Sequence, residues 1–100
     1  MNLKVKRYLM RLDPEFKVIF KQKKDPYAFL ASRIFQVPYI ECNPFEKVDE
    51  YGYQICEYPS YIGATRRRAA KFLVIGAVYP KRANIDMIIN LFKEVEDYGN

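Results

Sequence analysis

Residues 63–80, GATRRRAAKFLVIGAVYP, read in two ways, and the choice between them governs the fold. Thr65 is a good helix cap, and RRRAAKFL is made of strong helix formers. The following VIGAV is apolar and rich in β-branched residues, as a buried strand would be. Either one helix runs over about 65–79, or a short helix passes into a strand. The helical reading sets Arg67, Lys71, Ile75 and Tyr79 four residues apart, so that they form one stripe.

Downstream, Asn84 caps a segment in which Ile85, Ile88, Ile89, Phe92 and Val95 recur at helical spacing. This predicts a helix over 85–97 with Ile85, Ile88, Ile89 and Phe92 buried. Upstream, residues 37–62 contain three prolines, a glycine and five tyrosines, a composition of turns and short strands. A short β-hairpin within 38–58 is expected there, with Tyr51, Tyr53 and Ile55 on one strand face and Gln54 and Cys56 on the other.

Before it, Asp25 and Pro26 open a helix over 26–36 that buries Phe29, Leu30, Ile34 and Phe35 and stops ahead of Pro38. Residues 3–22 fit a hairpin turning at Asp13-Pro14, in which Phe16, Val18 and Phe20 alternate. They also fit helices, in which Phe16, Ile19 and Phe20 share a face. One hundred residues support one core, so the expectation is a single α+β domain, 1–100, with three principal helices.

Composition narrows the chemistry. There is no histidine, which excludes Ser-His-Asp and Cys-His catalysis and imidazole metal sites. Two cysteines, Cys42 and Cys56, are too few for a four-thiolate metal site in one chain. A reduced pair is expected over a disulfide in a cytoplasmic protein. No apolar run reaches the roughly 20 residues of a membrane span, so the expected location is cytoplasmic and no membrane partner is expected. Neither a metal nor any other cofactor is expected.

Charge is segregated along the chain. Residues 1–24 carry +6, residues 25–65 carry −4, residues 66–82 carry +6 with no acid among them, and residues 83–100 carry −3. Clustered cations attract phosphate chains and gain from counterion release. Arg66, Arg67, Arg68, Lys71, Lys81 and Arg82 are therefore the candidate phosphate contacts. They cannot all enter a core, because each unpaired buried cation is strongly destabilising.

Two segments resemble the fingers region of family A DNA polymerases of viral type. LDPEFKVIFKQKKDPYAFLASRIFQVPY is similar to the segment preceding the nucleotide-binding helix, through Asp13, Phe20, Asp25-Pro26-Tyr27, Ala31-Ser32, Phe35 and Val37-Pro38. RRRAAKFLVIGAVYP resembles that helix itself, with Arg67, Lys71, Ile75, Gly76 and Tyr79 at the family's positions. The resemblance implies that Arg67 and Lys71 contact phosphate, that Tyr79 stacks beside a base, and that 3–23 is helical. Pro80 stands where the family has glycine, and the family's metal-binding carboxylate motifs are missing.

The function expected from these features is a non-catalytic accessory protein that binds nucleic acid, DNA or RNA, or nucleotide phosphates. If viral, it would act in the host cytoplasm. The alternative is a protein-interaction module, a homodimer or an inhibitor docking on an acidic partner surface. An acid pair such as Glu41 and Glu57 has no spacing that specifies an enzyme.

Overall fold

The computed structural model describes residues 1–42, 45–48, 50–51, 54–56 and 61–98. Helix α1 spans Leu3–Leu12 and starts at Asn2, whose side-chain oxygen accepts the Val5 N–H. Its apolar row, Val5 and Leu9, is buried at i, i+4. Asp13 ends it, and its carboxylate accepts the Glu15 N–H across the Asp13-Pro14 corner. That corner joins two helices rather than two strands.

Helix α2, Phe16–Lys21, buries Phe16 and Ile19. The hairpin alternative for 3–22 required Val18 to lie beside Phe16 and Phe20, but Val18 is 50% exposed. The helical period therefore prevails over the two-residue one.

Helix α3, Pro26–Phe35, is capped by Asp25, which accepts the N–H groups of Tyr27 and Ala28. It closes one residue short of the expected 36, because Gln36 takes a left-handed conformation at φ 55°. Arg33, in its last turn, pairs with Glu15 across from α2. A 3-10 turn at Tyr39–Glu41 follows.

The α+β expectation is overturned: the fold class is all-helical. Phe45–Val48 (β1) and Gln54–Cys56 (β2) pair antiparallel, but with each other alone, and a two-stranded ribbon is no layer of a domain. Helix packs on helix instead, and the described core joins Val5, Leu9, Phe16, Ala28, Leu30, Ala31, Cys42, Ala70, Val74 and Val78. Of the expected strand faces and the Glu41/Glu57 pair, Tyr53 and Glu57 lie outside the described residues. Cys42 is buried and free, with no disulfide.

Helix α4, Tyr61–Val78, is the central element, packed against α1, α3 and helix α5, Ile85–Tyr98. It starts four residues before Thr65, which is buried inside it and donates its hydroxyl hydrogen to the Tyr61 carbonyl. The expected 65–79 bounds are corrected accordingly. VIGAV continues the helix and forms no strand. A helix covered on more than one side is apolar around much of its circumference, so it loses the clean amphipathic period that marks a surface helix.

Helix α5 is capped by Asn84, which accepts the Met87 N–H. It runs one residue past the expected 97, and its buried row is not the expected one. Leu91 is buried, whereas Ile85 is 61% and Ile89 51% exposed. The reason lies in the crossing with α4. Gly76 makes room for the connection into α5: a Cβ there would lie 3.2 Å from the Ala83 Cβ, and at an ordinary contact distance of 3.6 Å from the end of Ile88. Contact through Ile88 turns Leu91 inward, and Phe92 meets Phe35 of α3 with ring centres 5.3 Å apart. Ile85 and Ile89 are thereby rotated onto the outer flank. No helix of the described residues is long and apolar enough to cross a membrane.

Candidate phosphate-binding cleft

The basic run in α4 is divided by its surroundings. Arg67 donates from Nε to the Asp25 carboxylate at 2.5 Å, and its guanidinium lies 5.6 Å from the Tyr27 ring centre. Asp25 is thus shared between the α3 cap and the α4 cation. The same corner is fastened by the Asp25 N–H, which donates to the Tyr39 hydroxyl at 3.0 Å. Burial raises the Tyr27 and Tyr39 phenols above their ordinary range, while Arg67 opposes the rise in both. Only 23% of the Arg67 side chain is exposed, and its Nε is engaged by Asp25.

Arg66 is drawn inward too. It is 14% exposed and lies 3.6 Å from Glu41, with its Nε buried and without a hydrogen-bond partner among the described residues. It flanks the Cys42 thiol, which burial pushes up to about 11 despite that nearby positive charge. Arg68 faces solvent and Lys71 is half-buried. The i, i+4 relation of Arg67 and Lys71 therefore joins one committed cation to one without an ion pair to a described residue.

Beyond the C-terminal end of α4 the arrangement differs. Pro80 cannot continue a helix, and Tyr79 leaves helical geometry at φ −126°, ψ 77°. The chain turns through the 3-10 segment Pro80–Arg82, closed by the Arg82 N–H donating to the Tyr79 carbonyl at 2.8 Å. This turn folds the Arg82 guanidinium back to 5.2 Å from the Tyr79 ring centre.

From α1, the Lys4 ammonium comes within 5.0 Å of the same ring, and Asn2 donates to the Tyr79 hydroxyl at 2.7 Å. Lys4, Val78, Tyr79, Pro80, Lys81 and Arg82 line an open cleft of about 280 Å³. Lys4, Lys81 and Arg82 are exposed and form no ion pair with a described residue.

Two exposed cations repel by only about 0.4 to 1 kcal/mol in water at separations of roughly 4 to 10 Å. Each cation–π contact at an exposed site contributes about 0.5 to 1 kcal/mol. Two such contacts together match or exceed the repulsion, so Tyr79 can hold Lys4 and Arg82 near each other without a carboxylate between them. What is left over is positive charge directed at solvent. Such a site suits an anion with several oxygens: Arg82 offers a planar fork, and Lys4 and Lys81 offer point charges.

Of the sequence-predicted residues, the cleft brings together Tyr79, Lys81 and Arg82, while Arg66 and Arg67 are tied to Glu41 and Asp25. Sequence reading missed the α1 contribution. Lys4, Arg7 and Arg11 are all exposed and stand at i, i+3 and i+7, one stripe of α1. The stripe becomes readable only once 3–12 is taken as helix. No such signal exists for Asp25, which lies 42 residues from its partner Arg67.

No protein-family model, curated protein or solved structure matches this chain.

Proposed function

We propose that the protein is a non-catalytic accessory factor that binds the phosphates of nucleic acid through the cleft at the end of α4. The observation that carries this reading is the gathering of Lys4, Lys81 and Arg82 around Tyr79 with no described carboxylate paired to any of them. A basic surface whose only role was to balance the acidic segments would be expected to hold its cations against them, as Arg66 and Arg67 are held. Arg7 and Arg11 extend the track along α1, about 10 Å from Lys4 to Arg11 by helical rise.

The polymerase resemblance points to Arg67 and Lys71 as triphosphate ligands. Engagement of Arg67 by Asp25 favours the end of the helix instead, with Arg68 and Lys71 as outlying phosphate contacts. The test is wild-type affinity for a single-stranded and a duplex oligonucleotide across about 50 to 200 mM salt, with an acidic protein as control. Three to five phosphate contacts give a slope of log K against log salt of roughly −2 to −5. Binding to the acidic protein with no measurable binding to either nucleic acid would overturn the reading in favour of a protein-interaction module.

A further inference from the structure

We infer that the cleft recognises the phosphate chain of its ligand without contacting the bases, with Tyr79 serving as a positioning residue for two cations and not as a stacking platform. This rests on the phosphate-binding reading above. A base stacks on an aromatic ring only if a face of that ring is open to it. Lys4 and Arg82 both lie within about 5 Å of the Tyr79 ring centre, and the hydroxyl is tethered to Asn2. The ring is itself half-buried against the core, so a base reaching its exposed part would compete with the cations that attract its phosphate.

The same covering recurs at Phe20 beneath Lys6 and at Tyr39 beneath Lys24. Tyr8, one turn along α1 from Lys4, packs against the core. The exposed Tyr61 opens α4 at the far end from the cleft, about 26 Å away by helical rise, and is bonded to Glu94. Among the described residues, base-stacking aromatics are thus not found beside the cleft cations, whereas phosphate-directed donors are.

Two ligand sources share this chemistry, the sugar-phosphate backbone of nucleic acid and a linear inorganic polyphosphate. The experiment measures both side by side. Affinities of the full chain are measured at about 50 mM salt for oligo-dT, oligo-dA, an abasic deoxyribose-phosphate strand and inorganic polyphosphate, matched in phosphate number. The expected result is four dissociation constants within about threefold.

Tyr79→Leu, which releases both cations, should weaken all four by a similar factor of about three to ten. Tyr79→Phe, which keeps the ring, should stay within about twofold of wild type. Melting curves verify that both variants fold. Stacking adds about fivefold or more per base. Oligo-dT binding at least tenfold tighter than the abasic strand and polyphosphate would therefore overturn the inference while leaving the nucleic-acid reading intact. A Tyr79→Leu loss confined to the base-bearing strands would do the same. Failure of all four ligands to bind would overturn both.

Discussion

In the middle of α4, Arg66 and Arg67 turn toward carboxylates brought by α3 and the turn after it, whereas beyond the helix end Arg82 meets a tyrosine ring and Lys81 faces solvent beside it. All four belong to one acid-free basic block of the sequence. The difference between them is what faces each cation. A nearby carboxylate offsets the charge, and where the two hydrogen-bond, as Arg67 and Asp25 do, the arginine fastens one helix to another. An aromatic ring holds a cation in place and leaves its charge intact, so it remains available to a phosphate.

The comparison is broken most readily at Asp25. Asp25→Ala removes the α3 cap and the partner of a mostly covered arginine at once. Urea denaturation should show a loss of about 2 to 3 kcal/mol, from a cap contribution and a charged hydrogen bond that overlap. A shift below 0.5 kcal/mol would mean that the pair is not a fastener. Arg66→Met should lie within about 1 kcal/mol of wild type, because it exchanges an ion pair with an exposed carboxylate for relief of a buried, unpartnered Nε. A loss of 3 kcal/mol would place Arg66 among the essential contacts.

Alkaline titration sharpens the account of the inward side. The Cys42 thiol is held up to about 11, so the fold favours its protonated form. Its contribution is fully present below the ordinary thiol range near 9 and is lost as pH rises toward 11. Wild type should lose stability relative to Cys42→Ala across that interval. Parallel curves would show that the thiol is not shielded. The smallest effect is expected on the outer flank of α5, where Ile89→Ala should alter stability by less than about 0.5 kcal/mol, against about 2 to 4 kcal/mol for a buried residue such as Leu91.

The same contrast explains what sequence could disclose. Local chemistry was readable: Asp25-Pro26 opens α3, Asn84 opens α5, and Pro80 stops α4. Facing partners were not. Residues 3–22 satisfied two periods, and the helical one prevailed, with Phe16 and Ile19 buried and Val18 half exposed. The burial of Leu91 in place of Ile89 depends on which face of α5 meets α4, a choice no single-helix pattern contains. At the site, the cations of 66–82 were visible as a block, but their division into those paired with a carboxylate and those proposed to meet phosphate required Asp25 and Glu41 in space.

That division is tested most directly by two double variants measured in the same two assays, urea denaturation and salt-titrated binding to a single-stranded oligonucleotide. Lys81→Gln with Arg82→Gln should leave stability within about 0.5 kcal/mol of wild type and reduce the salt slope by about two phosphate contacts. Arg66→Gln with Arg67→Gln should lower stability by about 1 to 3 kcal/mol and leave the slope unchanged in the folded fraction. The account is contradicted if the second pair flattens the slope while the first pair binds as wild type.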